Sequence, residues 1–210
     1  MSAAALSTVD ALTESLRERI LGGQLKPGTP LREEALSREY EVARHSLRSA
    51  LRTLQGEGIV QIEPNRGARV KSLSPEDVRG LSELRIALEV ESARMALERG
   101  GGRLPAGVHR ALERLVAACR RSKASWGAVA EAHEALHHEI VVAADSPRLA
   151  EVHRQAGAEL RLFVLQLPTT WTLERIADDH VELVRRLETR GADALRPHIE
   201  ESTRALLEQA

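Results

Sequence analysis

The sequence predicts a mainly α chain in two parts: two short helices closed by a small β-wing near the N-terminus, then an antiparallel bundle of about six helices. Three observations carry this expectation. Apolar residues recur at three- and four-residue spacing over most of the chain, as on one face of a helix. Convincing β-like runs occur only as a pair, Ile59–Glu63 and Ala68–Lys71, around the turn-forming group Pro64–Asn65–Arg66–Gly67. Glycine, proline and serine cluster at the breaks between helical stretches. At 210 residues the chain has ample length to bury a core, in one domain or two.

The first helix is expected to start at Ser7, with Asp10 as an acidic capping partner. Leu12, Leu16 and Ile20 share a face, and Gly22–Gly23 ends it. Lys26–Pro27–Gly28 reads as a turn. A short helix spans Leu31–Glu39, and Tyr40–Glu41–Val42 breaks it. A second helix spans Ala43–Gln55 and stops at Gly56. Leu47, Leu51 and Leu54 mark its buried face, while Arg44, His45, Ser46 and Arg48 occupy its first two turns. Polar and cationic groups at the N-terminal end of a helix are what a reader of the major groove needs, so this stretch reads as a helix-turn-helix with a wing.

The sequence divides into a winged domain at 1–71, a linker at 72–74 and the bundle at 75–210. Ser74–Pro75–Glu76–Asp77 is a strong helix start: serine as N-cap, proline in the first turn, acids after it. Expected helices are 75–99, 105–122, 125–144, 147–167, 171–189 and 193–208. Their breaks are Gly100–Gly101–Gly102, Ser122–Ser125, Asp145–Ser146–Pro147, Pro168–Thr169–Thr170 and Gly191. Short loops between helices imply antiparallel neighbours.

The net charge is −1, which argues against wholesale coating of nucleic acid. From Arg38 to Lys71, however, seven basic residues face four acidic ones, a local balance of 7 − 4 = +3. That is the footprint of a specific DNA reader. Cys119 is the only cysteine, so neither an internal disulfide nor a thiolate zinc site can form. No apolar run reaches membrane-spanning length and no signal-peptide pattern opens the chain, so no membrane partner and a cytoplasmic location are expected. Aromatic side chains are scarce, which disfavours single-strand binding by base stacking.

The residues of the first domain resemble the winged DNA-binding domain of the GntR family of bacterial transcription regulators. The resemblance is carried by Ile20–Leu31, then by Val42, Arg44, Leu47, Arg48, Ala50, Leu51, Leu54, Glu57, Gly58, Ile59 and Val60, and by Pro64, Gly67 and Val70. It implies that Arg44 and Arg48 read bases or phosphates, with His45 and Ser46 as secondary contacts. Arg66 and Gly67 at the wing tip would approach the minor groove or backbone, and Arg32 a phosphate. It also implies a homodimer on a double-stranded inverted repeat. Two positions depart from the family pattern. Glu41 stands where glycine is usual, and Ala43 where serine or threonine is usual; reduced stability or a divergent operator is expected.

The second half resembles the FadR-like ligand-binding domain of the FCD type, through Leu81–Ala96, His133–Leu149 and Asp178–His180. His133 and His137 are four apart on one helix and share a face. Imidazoles brought together in a bundle can hold a divalent ion of the zinc or nickel class. The resemblance implies such a site from His133, His137, His180 and His198, with His133 in place of the family's aspartate. His198 stands about one helical turn closer to His180 than in the resembled domain. Pro197 beside it suggests a late start to the final helix, so whether His198 is a ligand stays open. His138 is expected on the surface, and His45, His109 and His153 outside this site. Arg85, among Leu81, Leu84 and Leu88, is expected to bind a carboxylate effector, or else to pair with Glu89. Glu83 and Glu89 are expected to be solvated or paired.

The leading reading is a regulator, a repressor, whose operator binding is modulated by a small carboxylic acid in the bundle. No catalytic activity is expected of it. One alternative is a metal-dependent hydrolase, because His133-Glu134-x-x-His137 is formally HExxH; that role needs Glu134 aimed at the metal-bound water. The other is a helical interaction module with weak, sequence-blind DNA binding.

Overall fold

Leu12, Leu16 and Ile20 are almost wholly removed from solvent, and they set the first helix, α1 (Thr8–Leu21), against the helix that carries the cationic motif. The structure is a computed structural model that describes residues 8–167 and 170–208. Ser7, Pro168 and Thr169 lie outside the described residues. Contacts divide the chain into two units, one ending at Ser72 and the other beginning at Leu73.

In the first unit α1 is followed by β1 (Pro30–Leu31), α2 (Glu33–Glu39), α3 (Arg44–Gly56), β2 (Val60–Glu63) and β3 (Gly67–Val70). The strands form an antiparallel sheet in the order β1-β3-β2, with Val60 opposite Val70 and Glu63 opposite Gly67. The wing strands sit within a residue of expectation. The strand β1 was not expected, and it corrects the start of α2: Leu31 pairs with Ala68 and is 2 % exposed, so the helix begins only at Glu33. A two-residue strand is too short to show any periodicity. Leu47, Ala50, Leu51 and Leu54 of α3 are buried, and Leu47 and Leu54 show no exposure at all.

Two polar ties fix α1 to the helix-turn-helix. Arg17 grips the Glu57 carboxylate with two hydrogen bonds, Nε to Oε2 at 2.7 Å and Nη2 to Oε1 at 2.5 Å. Tyr40 Oη accepts from Arg19 Nη1 at 3.0 Å and lies 3.2 Å from Ser15 Oγ. Tyr40 thus anchors the turn, whose next residue, Glu41, has φ +54°. A side chain in this left-handed region costs about 1–2 kcal/mol, which glycine avoids. Ala43 is the N-cap of α3 and offers no side-chain acceptor.

In the second unit α4 (Pro75–Arg85), a π-helical stretch (Ile86–Val90) and α5 (Glu91–Arg99) run on as one rod. Then come α6 (Ala106–Cys119), α7 (Trp126–Val142), α8 (Pro147–Leu165), α9 (Leu173–Arg190), a 3₁₀ turn (Ala192–Ala194) and α10 (Leu195–Leu207). Ser74 and Asp77 form the expected reciprocal cap: Asp77 N–H donates to Ser74 Oγ at 3.1 Å, and Ser74 N–H to Asp77 Oδ2 at 2.9 Å. Helix α7 is central, packed mainly on α6 and α8. Leu136 and Ile140 of α7 join Leu115, Val129, Leu187, Leu195 and Ile199 in a solvent-free core. A smaller cluster joins Val78, Leu81, Leu160, Phe163 and Leu206.

Two substitutions repair the local faults of the first unit. Glu41→Gly relieves the left-handed side chain, and Ala43→Ser supplies the missing cap; each is expected to stabilise the unit by about 1 kcal/mol. Hydrogen exchange of the α2 and α3 amides in the full chain measures this as slower opening, and unchanged exchange would contradict it.

Candidate functional site

The four histidines expected to meet do meet. The potential ligand atoms of His133, His137, His180 and His198 all lie within 4.8 Å of one another. His133 and His137 come from α7, His180 from α9 and His198 from the first turn of α10. The final helix does not start late: the 3₁₀ turn leads directly into Leu195, and Pro197 sits in the first turn, where its missing N–H is no loss. His137 and His180 are each 1 % exposed.

Hydrogen bonding fixes the tautomers of the two buried rings. His137 Nδ1 lies 2.7 Å from Glu89 Oε2, and His180 Nδ1 lies 2.7 Å from the Ile176 carbonyl. Both partners are acceptors, so both Nδ1 atoms carry the proton and both Nε2 atoms are left with lone pairs. Those two Nε2 atoms face each other at 3.3 Å. Zinc–imidazole bonds of about 2.0–2.1 Å at a tetrahedral angle separate two ligand nitrogens by about 3.3–3.4 Å. The donor set therefore fits a divalent ion. Burial pushes the His180 imidazole down to about 3, with His137 acting in the same direction. Burial also holds His133 and His198 well below the usual histidine range, so all three are neutral and ready to donate.

Glu89 is the residue that the sequence undervalued. It lies in the π-helical stretch and has no exposure to solvent. Oε1 accepts from Arg85 Nε at 2.8 Å, and Oε2 from His137. Burial alone would raise this carboxyl, but Arg85 and His137 outweigh it and hold the group well below the ordinary carboxylate range. Arg85 is 3 % exposed, with its guanidinium over the Phe163 ring at 5.9 Å and Nη2 placed to donate to His137 Nε2 at 3.4 Å. Of the two roles expected for Arg85, the ion pair with Glu89 is the one formed here. An arginine and a glutamate four apart on one helix were a visible signal; their burial was not.

One histidine requires correction and another acquires neighbours. His153 lies outside the four-histidine group, as expected, but is 1 % exposed, and its Nε2 lies 3.4 Å from Glu89 Oε1. His138, expected on the surface, is half-buried with Nδ1 3.3 Å from His153 Nδ1. Both follow from the close packing of α8 on α7, which no helical pattern reveals. Glu134 groups with His138 and His153, apart from the four histidines. The hydrolase reading thereby loses the base that HExxH requires. His198 opens onto a cleft of about 150 Å³, also lined by Asp179, Glu182, Arg186 and Glu201.

On the first unit, Arg44, His45 and Arg48 are exposed on α3, and Ser46 is half-buried. Arg48 Nε donates to Glu33 Oε2 at 2.8 Å, an exposed pair worth little in water. Arg66 and Gly67 are exposed at the wing tip, where Gly67 has φ +75° and Arg66 Nη1 lies 3.3 Å from Glu63 Oε2. Arg32 is exposed at the N-cap of α2. These side chains share one short helix-turn-helix and its wing.

A small winged unit with a cationic helix, followed by a helical bundle with a polar buried centre, defines a class of DNA-binding regulator with a sensing domain. Sequence profiles agree. That of the bacterial regulatory proteins of the gntR family matches residues 8–70, and that of the FCD domain matches residues 80–205. The chain belongs to the GntR family, in the branch with an FCD domain. It is similar to the HTH-type transcriptional regulator BphR of Paraburkholderia xenovorans (strain LB400), 36 % identical over 109 residues, 52 % of this chain and 44 % of that protein. It is also similar to the HTH-type transcriptional repressor RspR of Escherichia coli (strain K12), 40 % identical over 81 residues, 39 % of this chain and 36 % of that protein. The matched spans thus cover less than half of either relative. The fold matches that of a GntR regulator from Rhodococcus sp. RHA1 with a TM-score of 0.78 at 22 % identity, over 98 % of this chain and 100 % of that one.

The buried ion pair makes a sharp prediction. Glu89→Leu leaves Arg85 unpaired and should cost about 3–5 kcal/mol. The double variant Arg85→Met/Glu89→Leu should recover most of that loss. Urea denaturation of both variants checks it, and equal losses would refute it. A second prediction concerns pH in chelator-treated protein. Unfolded histidine titrates near 6.5, whereas His180 is held at about 3 in the fold. The unfolded chain therefore binds more protons between those values, so stability is full above about 6.5 and falls as pH drops toward 3. Melting scans at pH 7.5 and 5.0 should show this fall, shallower in His180→Gln.

Proposed function

We propose that this chain is a homodimeric, cytoplasmic transcriptional repressor whose grip on an inverted-repeat DNA operator is set by a small carboxylate bound in its FCD domain. The observation that carries this reading is the exposed cationic start of α3. Arg44 and Arg48 stand four apart and away from the buried leucine face. Guanidinium groups so placed can take a guanine edge or a phosphate. Arg66 and Gly67 extend the contact at the wing, with His45, Ser46 and Arg32 as supporting contacts. Phosphate or base can displace Glu33 from Arg48, because an exposed ion pair is weak. One winged unit covers one half-site, so two copies are needed for an inverted repeat. A cytoplasmic location follows from the need to reach chromosomal DNA.

In the bundle, His133, His137, His180 and His198 would hold a divalent ion of the zinc or nickel class. That ion would supply a Lewis-acid anchor for a carboxylate. Glu89 and the Ile176 carbonyl orient two of the rings, the usual task of groups behind a metal ligand. Arg85, in contact with His137, adds positive charge beside the anchor. The effector acts only by binding one arrangement of the dimer more tightly than another. The profile matches and the position of Glu134 favour this reading over the hydrolase and the interaction module.

Mobility shifts and footprinting on DNA upstream of the chain's own gene test the proposal. One protected inverted repeat is expected. Arg44→Ala should lower affinity by about 1–3 kcal/mol, roughly five- to 150-fold. Loss of a phosphate contact at Arg48→Ala should reduce the salt slope by about one. Binding that is sequence-blind and indifferent to both variants would defeat it.

A further inference from the structure

Helix α7 carries two pairs of ligating side chains, each four residues apart and offset by one position: His133 with His137, and Glu134 with His138. One residue step turns about 100° around a helix, so the two pairs address different neighbours. The first pair meets His180 and His198 from α9 and α10. The second meets His153 of α8. We infer that Glu134, His138 and His153 form a second divalent-metal site of the zinc class, separate from the four-histidine group.

The geometry meets the demands of such a site. All three ligand atoms lie within 4.8 Å of one another. His138 Nδ1 and His153 Nδ1 are 3.3 Å apart, the separation found between the facing nitrogens of His137 and His180. It is also the spacing of two imidazoles on one tetrahedral zinc, about 3.3–3.4 Å. On the far side of its ring, His153 Nε2 lies 3.4 Å from Glu89 Oε1, within ion-pair distance but without a formed hydrogen bond. A proton on that nitrogen leaves the Nδ1 lone pair directed at His138. Room for the third ligand is built into α8. Gly157 stands opposite Glu134, and a methyl there would come within 3.1 Å of Glu134 Oε1. Two histidines and one glutamate leave a fourth position for water. The competing account is a single hydrogen bond between two neutral rings, with no ion. The two metal groups share Glu89 as a neighbouring carboxylate but no ligand, so either can exist without the other.

Counting bound ions separates these accounts. The full chain, stripped with chelator and dialysed against zinc, is expected to retain two ions per chain by mass spectrometry. His138→Gln should retain one. Glu134→Gln, which keeps the shape and removes the charge, should weaken one of the two sites at least tenfold and decides the matter if His138→Gln fails to fold. His180→Gln should also retain one, and His138→Gln/His180→Gln none. Cobalt in place of zinc should give two sets of visible bands in the wild type and one in each single variant. A single ion that disappears in His180→Gln and survives in His138→Gln overturns the second site. The reverse pattern keeps it and removes the four-histidine reading instead. Wild-type stoichiometry in both His138→Gln and Glu134→Gln overturns it as well.

Discussion

A carboxylate with no access to water organises the second unit. Moving an ion of that size into a protein interior costs several kcal/mol, and it is tolerated only when partners replace the lost hydration. Glu89 has three: Arg85, His137 and His153, drawn from the rod before it, from α7 and from α8. Arg85 and His137 are themselves fixed by the hydrogen bonds they make to it. Arg85 keeps its charge inside the bundle because Glu89 balances it. His137 takes one tautomer because its Nδ1 proton has only an acceptor to face. The π-helical stretch that holds Glu89 is part of this arrangement. A wider turn inserts a residue into the helical count and re-aims the side chains that follow, which is a frequent device at binding sites.

The first unit obeys a different constraint: it must present a short helix rigidly with little core. The leucine face of α3 supplies the apolar seat. Arg17 and Glu57 lock the far end of that helix to α1, and Tyr40 locks the turn before it. The price is local strain at Glu41 and a missing cap at Ala43. Both faults lie at the near end of α3, where the exposed Arg44 and His45 stand, so the helix is held by its core contacts and its far end rather than by its start. The charges follow the same division. Arg17 and Arg19 spend theirs on structure, while Arg44 and His45 remain exposed.

Much of this was legible because helical periodicity reports burial. Leu47, Leu51 and Leu54 announced the buried face of α3, and the Ser74–Pro75–Glu76–Asp77 start gave the cap of α4 in advance. The four histidines could be proposed because two share a helix face and the later two lie in a matching order. What stayed hidden depended on neighbours distant in sequence. β1 is two residues long and carries no pattern. His153 looked unremarkable because its meaning comes from α8 packing on α7. Glu89 could be read as solvated or as paired with Arg85, but its burial stayed hidden because a helix read alone shows which residues share a face, not which face is covered. His198 was left open by the spacing and by Pro197; the 3₁₀ turn at Ala192–Ala194 leads straight into α10 and puts His198 in its first turn.

The substitution of histidine for an acid at position 133 has an electrostatic consequence for what this pocket can accept. Four neutral imidazoles bring no charge to a divalent ion. Arg85 and Glu89 cancel each other, so a loaded four-histidine group would carry the full double positive charge of its metal. An aspartate at position 133 would have removed half of it. A buried centre with that excess is unstable without an anion, and neither Glu134 nor Glu89 can supply one directly: the first groups with His138 and His153, and the second is held by Arg85, His137 and His153. A bound anion is the remaining source of charge at the four rings themselves, the other carboxylates nearby being Asp179, Glu182 and Glu201 of the cleft beside His198. A carboxylate meets that need better than a neutral ligand, and one with two carboxylates meets it better still. The acids lining that cleft are partly offset: Glu182 pairs with Arg186, while Asp179 and Glu201 share Arg175. The same charge count that would make an ion costly to bury alone would favour an anionic effector over a neutral one, in line with the carboxylate proposed above.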